Sequence, residues 1–213
     1  MLQSGAGKKG FAARYDTRMA TTHLLYLHGF RSSPLSAKAQ KVAERVRARN
    51  PGVTWWCPQL PPSPRQAMDD VMQGIADWPR ASMAVIGSSL GGFYATAVAQ
   101  RTGCPAVLLN PAVNPARDLA AYIGEQTQFH HPEERFFFQP AFVDELRALD
   151  AGPLRHPERF FAIIARGDEV LDWREMTGRY PGARIKLLAG GDHALSDFDD
   201  HLDEIFGFLG LRA

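Results

Sequence analysis

Short apolar runs that favour β-strands alternate with longer amphipathic segments, and this alternation is the feature that most restricts the possible folds. The apolar runs predict strands at residues 23–27, 53–57, 83–87, 106–110, 160–165 and 184–188. Helical spacing of apolar side chains predicts helices at residues 34–49, 65–78, 90–101, 172–180 and 199–209. Because each helix returns the chain to begin another strand in the same direction, the pattern predicts a mostly parallel sheet inside a three-layer α/β/α sandwich.

One connection is much longer than the others. About fifty residues separate Asn110 from Phe160 without a strand pattern, which exceeds the usual length of a crossover. We therefore predict a helical insertion or cap after the fourth strand, over about residues 111–158. Its aromatic residues have two interpretations, since they either pack helices onto the sheet or cover a substrate. These residues are Phe129, Phe136, Phe137, Phe138 and Phe142.

Composition indicates one globular domain with a locally recognised ligand. The chain has 213 residues, of which 45% are hydrophobic, enough for a full core. Residues 1–18 show no helical or strand periodicity and are predicted to form a disordered tail ahead of a domain at residues 19–213. The net charge is +1, so no overall field attracts nucleic acid or an anionic membrane, and a small-molecule partner is expected.

The cellular location is also predicted from the sequence. The chain contains no apolar stretch of about 20 residues and no secretory leader, so a cytoplasmic protein is expected. In that compartment Cys57 and Cys104 are expected to stay reduced and to fill packing roles.

A glycine-flanked serine follows the third predicted strand. The segment reads Gly-x-Ser-x-Gly, and a helix is predicted directly after it. Only residues without bulk fit two positions before and after the serine in so tight a turn, so Gly87 and Gly91 identify Ser89, rather than Ser88, as the candidate nucleophile. An ordinary glycine-rich turn is the alternative interpretation, but the strand-turn-helix context favours the nucleophile of an α/β-hydrolase fold.

The first predicted strand ends in His28 and a glycine, where that fold places an oxyanion hole. A tetrahedral intermediate needs two preorganised donors, and we predict the backbone N–H groups of Phe30 and Leu90 for this role. His28 is expected to shape this loop through hydrogen bonds rather than to act as a base. Arg31 and Ser32 follow and are predicted to line the substrate pocket.

A serine hydroxyl needs a neighbouring imidazole, and His193 lies in the glycine-containing loop after the last predicted strand. The imidazole in turn needs a carboxylate to fix its tautomer. Asp168 directly follows the fifth strand and is the favoured acid, whereas Asp172 is expected to cap the next helix and Glu169 would be an unusual variant. Asp192 is expected to hold the histidine loop in shape.

The chain resembles the small bacterial YqiA-type esterases over about residues 24–209. The resemblance rests on residues 25–30 (LYLHGF), 32–34 (SSP), 87–92 (GSSLGG), 110–113 (NPAV), 167–172 (GDEVLD) and 190–193 (GGDH). It implies an α/β-hydrolase fold and the hydrolysis of carboxylic esters, with acyl thioesters as further candidates, and without a metal or an organic cofactor. The segment before Met19 has no counterpart in the family pattern.

These observations predict a serine carboxylesterase that works through a Ser-His-Asp triad and an acyl-enzyme. An acyl-CoA thioesterase or an amidase with the same triad is the alternative, because all three reactions pass through similar tetrahedral intermediates. A non-catalytic binding protein on the same fold is a further alternative. Metal-dependent hydrolysis by His130, His131, Glu133 and Glu134 is disfavoured, since no known ligand spacing is present.

Overall fold

The computed structural model describes residues 20–213, so the tail predicted at residues 1–18 lies outside the described residues. The strands are β1 (His23–Leu27), β2 (Thr54–Trp56), β3 (Met83–Ser88), β4 (Ala106–Leu109), β5 (Gly124–Thr127), β6 (Arg135–Phe138), β7 (Phe160–Ala165) and β8 (Arg184–Leu188). The α-helices are α1 (Ala37–Arg49), α2 (Pro64–Gly74), α3 (Leu90–Thr102), α4 (Pro115–Asp118), α5 (Pro140–Ala148), α6 (Trp173–Arg179) and α7 (Leu202–Phe208). Short 3-10 turns occur at Leu119–Tyr122, Pro157–Arg159 and Phe198–His201.

Six parallel strands form the central sheet in the order β2-β1-β3-β4-β7-β8. Helices α1 and α7 pack on one face, while α2, α3, α5 and α6 pack on the other. The predicted three-layer sandwich and all six predicted strands are therefore confirmed. The strand order reverses direction between β1 and β3, and the loops that leave such a point diverge to form a crevice at the carboxyl edge of the sheet.

Helix boundaries differ from the predicted ones for local reasons. Helix α1 begins at Ala37 rather than residue 34, because the Ser33 hydroxyl accepts a hydrogen bond from the Leu35 N–H and holds a turn there. Helix α2 begins one residue earlier than predicted, with Pro64 at its first position after the N-cap Ser63. Helix α2 also ends at residue 74 rather than 78, and a 3-10 turn precedes the short final helix α7.

The insertion contains a structure that the sequence pattern does not predict. Strands β5 and β6 form an antiparallel hairpin between α4 and α5, so the prediction of a purely helical insertion without strands is wrong. Each of these strands has only four residues, and β5 (GEQT) lacks the apolar alternation of a half-buried strand. The connecting loop is also longer than the two-residue turns that mark a hairpin in sequence.

The insertion's aromatic rings divide between the two predicted roles. Phe138 and Phe142 are buried and pack edge to face, with ring centroids 5.5 Å apart. Phe136 is half-buried, whereas Phe129 and Phe137 are 65% and 58% exposed. Packing onto the core therefore accounts for the first two rings, whereas Phe129 and Phe137 lie at the surface.

Both cysteines are free thiols, as predicted. Cys104 is buried and Cys57 is half-buried. Burial raises the pKa of the Cys57 thiol to about 12 and that of Cys104 to about 11, which suppresses the reactive thiolate at neutral pH. Their contribution is therefore to packing.

The helices are short relative to a lipid bilayer. The longest, α1 and α3, have 13 residues each, and none within residues 20–213 combines the length and the apolar character of a membrane crossing.

Candidate active site

The three predicted triad residues meet at the carboxyl edge of the sheet. Ser89 lies between β3 and α3, Asp168 in the loop after β7, and His193 in the loop after β8. His193 Nε2 lies 3.0 Å from Ser89 Oγ, and His193 Nδ1 lies 2.8 Å from Asp168 Oδ2. The Asp168 side chain is fully buried and the His193 side chain is 21% exposed. The imidazole therefore bridges a hydroxyl and a buried carboxylate, with one face accessible from outside.

The turn at Ser89 has the strained geometry that its glycines suggest. Ser89 has φ 55° and ψ −121°, a backbone conformation that L side chains rarely adopt. A Cβ atom on Gly87 would overlap the Gly91 carbonyl oxygen, and one on Gly91 would overlap the Leu27 carbonyl oxygen. The expectation that only glycine fits on both sides of the serine is thus confirmed, and the turn holds the Ser89 side chain away from the sheet.

The loop after β1 packs directly against Ser89. A Cβ atom on Gly29 would lie 3.3 Å from Ser89 Cβ and 3.8 Å from Ser89 Oγ, so any side chain there would crowd the hydroxyl. The backbone N–H groups of Phe30 and Leu90 donate to no other residue in the described part of the chain, and both residues line the cavity that contains Ser89. Two unpaired donors are therefore available beside the hydroxyl.

Asp168 is held by its own loop as well as by the histidine. Its Oδ1 accepts hydrogen bonds from the backbone N–H groups of Val170 and Leu171, each at 2.8 Å, which leaves Oδ2 for His193. Both oxygens of the buried carboxylate thus have hydrogen-bond partners, and the side chain has little freedom to rotate away.

The neighbouring acids occupy different positions. Asp172 caps α6 and its carboxylate accepts from a first-turn N–H of that helix, as predicted. Glu169 Oε2 accepts from the backbone N–H of His193 at 3.0 Å, a contact that the sequence did not suggest. Asp192 accepts from both the N–H and the hydroxyl of Ser196, which holds the histidine loop in shape as expected.

Asn110 is a polar residue of the site that the sequence analysis included in a family motif but to which it assigned no role. It lies directly after β4, is 1% exposed and has φ 41°. Its Nδ2 donates to the carbonyl oxygens of Asp192 and His193 at 2.9 and 3.2 Å, and its Oδ1 accepts from the Ala165 N–H at 2.8 Å. One side chain therefore ties the histidine loop to the end of β7. The available signal was a polar residue that ends a buried strand at the carboxyl edge.

Replacing Asn110 by Ala is expected to lower both stability and turnover. The change leaves the His193 carbonyl group and the Ala165 N–H without the Asn110 partner, while the Asp192 carbonyl group keeps only the Leu195 N–H, and we expect the free energy of unfolding to fall by about 1–3 kcal/mol. The histidine loop would also lose its anchor, so kcat for ester hydrolysis should fall by roughly tenfold or more. Asn50→Ala is the matched control, because the Asn50 amide also bonds backbone groups, those of Arg212, but far from Ser89. Equal kcat values in the two variants would contradict a positioning role for Asn110.

A cavity of about 610 Å³ opens onto Ser89 and His193. Part of its wall is apolar, formed by Leu90, Ala112, Leu119, Tyr122 and Leu171. Other parts of the wall are formed by the polar residues Tyr26, Ser36 and Lys38. The cavity is large enough for a small organic molecule and offers it both apolar and polar contacts.

The two residues predicted to bind substrate both lie on the wall of this cavity. Arg31 Nε donates to the Thr127 carbonyl oxygen at 2.7 Å, and its guanidinium lies 4.7 Å from the centroid of the Phe129 ring. The Arg31 carbonyl oxygen also accepts from the Phe129 N–H. Arg31 therefore fastens the β5–β6 hairpin to the loop after β1. Ser32 is half-buried, and its side chain makes no hydrogen bond with another residue of the described chain.

His28 is engaged in the loop rather than with the serine. Its Nε2 accepts from the Leu60 N–H at 3.2 Å, and its Nδ1 lies 3.0 Å from the Gly29 carbonyl oxygen, which places the ring proton on Nδ1. Burial lowers the pKa of His28 to about 4, and the Gly29 hydrogen bond opposes the shift only in part. The ring is thus neutral and structural at neutral pH, in agreement with the sequence-based expectation.

The His28 environment predicts a loss of stability in acid. An unfolded chain protonates this ring near pH 6.5, whereas the folded chain resists protonation until about pH 4, so stability is complete above pH 6.5 and falls as the pH decreases toward 4. His28→Asn is expected to flatten this part of the curve of unfolding free energy against pH, measured by urea denaturation. The exposed His156→Asn serves as the control. A wild-type slope in the His28 variant would mean that other groups cause the loss.

Two histidines of the insertion, His130 and His131, pair with polar side chains. His130 Nδ1 lies 3.0 Å from the Ser33 hydroxyl, and His131 pairs with Glu133 at the surface. Within residues 20–213, no three His, Cys, Asp or Glu side chains converge in an arrangement suited to a metal ion.

Solved structures similar to this one share the fold at low sequence identity. Alpha/beta hydrolase domain-containing protein 10 from mouse has a TM-score of 0.60 and 17% identity, with 87% of this chain and 91% of that chain covered. A structure of the metagenome-derived lipolytic enzymes LipS and LipT has a TM-score of 0.63 and 16% identity, with 89% and 94% covered. An esterase from Pyrococcus furiosus has a TM-score of 0.57 and 17% identity, with 89% and 81% covered.

These similarities establish the α/β-hydrolase fold. A family model described as "Uncharacterised protein family (UPF0227)" matches residues 23–210, which include every motif that carries the resemblance to the YqiA-type proteins. The chain therefore belongs to the UPF0227 family.

Proposed function

We propose that the protein is a serine hydrolase that cleaves carboxylic esters through an acyl-enzyme. The observation that carries the proposal is the continuous hydrogen-bonded chain from Ser89 Oγ through the His193 ring to the buried Asp168 carboxylate. In this arrangement the serine is the nucleophile, the histidine is the general base and the aspartate is its orienting acid.

The geometry supports a two-step reaction. His193 Nε2 accepts the hydroxyl proton while Ser89 Oγ attacks the ester carbonyl carbon, and the negative charge that develops on the carbonyl oxygen is received by the N–H groups of Phe30 and Leu90. The protonated imidazole then gives its proton to the leaving alcohol. In the second step water attacks the acyl-enzyme with His193 again as the base, and the acid is released.

The site has two features that favour this chemistry. Helix α3 begins at Leu90, immediately after the nucleophile, so its N-terminal end places positive partial charge beside the developing oxyanion. Asp168 keeps the proton of the resting imidazole on Nδ1, which leaves Nε2 free to accept the serine proton. The similar lipolytic enzymes and the similar esterase from Pyrococcus furiosus are consistent with an ester substrate.

Labelling and substrate panels test the proposal. A fluorophosphonate probe should label Ser89 in the purified protein, and the label should be absent from a Ser89→Ala variant. Turnover of acyl esters, acyl-CoA thioesters and amides with matched acyl groups then identifies the bond that is cleaved. Absence of both labelling and turnover would favour a non-catalytic binding protein on this fold.

The apolar wall of the cavity predicts a dependence on chain length. Each methylene group of an ester that reaches Leu119 and Tyr122 should add about 0.8 kcal/mol of binding until the wall is filled, so kcat/KM should rise with chain length and then level off. Tyr122→Ala is expected to flatten this rise. Phe137→Ala is the control, since Phe137 is exposed and lines neither this cavity nor the smaller one beside Phe30. The same flattening in both variants would mean that the alkyl chain of the substrate binds elsewhere.

A further inference from the structure

Two residues that line the cavity carry buried hydroxyl groups with no hydrogen-bond partner among the described residues. Tyr26 lies in β1, is 0% exposed, and packs its ring in the part of the core that faces α1. Ser36 occupies the N-cap position of α1, but its hydroxyl does not cap the helix. The hydroxyl oxygens of both residues are buried and unpaired, and both residues line the cavity that holds Ser89. Ser88 lies close to the Tyr26 hydroxyl without reaching hydrogen-bond geometry.

Lys38 lines the same cavity as Tyr26 and Ser36. Lys38 is half-buried, and its Nζ donates to the Ala194 carbonyl oxygen at 2.5 Å, which uses one of the three ammonium donors. Across residues 20–213, no carboxylate lies within salt-bridge distance of Lys38. The charges of Asp192 and Asp168 attract the ammonium group, but burial outweighs this attraction and lowers the pKa of Lys38. Both carboxylates are also hydrogen-bonded to their own loops. A half-buried ammonium without a carboxylate partner is costly unless a ligand supplies one.

The end of helix α1 adds further donors. The helix runs for 13 residues from Ala37 to Arg49, with no acidic residue in its first turn and no side-chain cap. Its first N–H groups and the positive end of its dipole therefore remain available to an acceptor. The two acids elsewhere in the cavity wall are engaged, since Glu169 binds the His193 N–H and Asp118 binds Arg117.

We infer that Tyr26, Ser36 and Lys38 form a subsite beside Ser89 that binds a carboxylate carried by the substrate. This inference rests on the proposed esterase function and narrows its substrate class. The subsite presents hydroxyl and ammonium donors, and a carboxylate is a pure acceptor that can take several of them at once. The cavity then accommodates an ester with two unlike arms, one apolar arm against Leu119 and Tyr122 and one short arm that ends in a carboxylate.

Matched ester pairs test the subsite and identify the arm that carries the charge. For the acyl arm, the p-nitrophenyl monoester of glutaric acid is compared with p-nitrophenyl pentanoate, after subtraction of the spontaneous rate. For the alcohol arm, the butyryl ester of glycolic acid is compared with propyl butyrate. We expect kcat/KM to be at least about tenfold higher for the carboxylate in one of the two pairs, as for a charged hydrogen bond in a half-buried site.

Variants then assign this preference to the named residues. Lys38→Met and Tyr26→Phe should each reduce the ratio of kcat/KM within the preferred pair toward one. Lys41→Met is the matched control, because Lys41 lies on the same helix but pairs with Asp199 outside the cavity. It should keep the wild-type ratio. Comparison of ratios within each variant separates the subsite from any effect of Lys38 on the His193 loop through Ala194.

A binding measurement separates this inference from the proposed function. In a Ser89→Ala background, glutarate should raise the midpoint of thermal unfolding relative to glutaramide at equal ionic strength, and Lys38→Met should abolish the difference. If neutral and anionic esters are cleaved equally and glutarate has no effect, the subsite holds only water and the inference is wrong, while the esterase proposal stands. If glutarate binds through Lys38 but no ester is cleaved, the carboxylate site stands and the esterase proposal falls.

Discussion

Ser89→Ala is expected to lower kcat for ester hydrolysis by at least about a thousandfold while the fold stays intact. The hydroxyl is the only part of the side chain that the change removes, and the Ser89 Cβ that contacts the loop after β1 remains. Circular dichroism and the midpoint of urea unfolding should therefore match those of the wild-type protein. The strained backbone at this position also predicts that the alanine variant gains no stability from a relaxed turn, because alanine is as disfavoured there as serine.

Ser88→Ala is the matched control for this prediction. Ser88 is the neighbouring residue, has the same side chain and lies buried in β3, but the imidazole Nε2 bonds Ser89 Oγ rather than Ser88. Its replacement should change kcat by no more than a few-fold. A loss of turnover in the Ser88 variant combined with normal turnover in the Ser89 variant would show that the register of the turn is assigned incorrectly.

Local pattern explains why so much of the fold was predictable. The six strands of the main sheet are short runs of apolar residues, and four of them, β1, β3, β4 and β7, are almost completely buried. Because these strands are buried on both faces, polar residues do not alternate with apolar ones. Each strand is therefore a continuous apolar run that can be recognised from a few consecutive residues. The serine turn is equally local, since Gly87 and Gly91 are required by contacts within the same strand-turn-helix unit and with the end of β1.

The parts of the site that were not predicted depend on contacts between distant segments. Asn110 contacts the histidine loop across 82 and 83 residues of sequence, and Arg31 contacts the hairpin across 96 residues. Contacts between such distant residues leave no periodic pattern in the sequence. Arg31 illustrates the consequence, because a cation beside an oxyanion loop suggests a substrate contact, but the sequence does not indicate that its guanidinium also contacts Thr127 and Phe129.

The same limit applies to the carboxylate subsite. Tyr26 reads in sequence as one more apolar strand residue, and Lys38 as one of several cations on an amphipathic helix. Their significance arises only when β1 and α1 are packed together, which leaves the Tyr26 hydroxyl without a hydrogen-bond partner and Lys38 with a backbone carbonyl but no carboxylate. Unsatisfied polar groups in a cavity wall are a property of the assembled fold, so they are detected by accounting for hydrogen bonds rather than by motif.

Asp168→Asn is expected to lower kcat by about 10³–10⁴-fold at unchanged stability. The asparagine oxygen can still accept from the N–H groups of Val170 and Leu171, so the loop keeps both backbone hydrogen bonds. The amide nitrogen would then face His193 Nδ1 in place of a carboxylate oxygen. Since an amide N–H2 group cannot accept a proton, the imidazole is driven to the tautomer with its proton on Nε2, and this nitrogen can no longer take the proton of Ser89.

Asp172→Asn makes the same chemical change four residues away and is the control. Asp172 caps α6, and asparagine is as good an N-cap as aspartate, so both kcat and the free energy of unfolding should stay close to the wild-type values. Urea unfolding and steady-state kinetics on the same preparations separate the two effects. A large loss of turnover in the Asp172 variant, with the Asp168 variant active, would move the acid of the triad to the helix cap. If the Asp168 variant instead lost enough stability to account for its loss of turnover, the buried carboxylate would serve to hold its loop rather than to orient the imidazole.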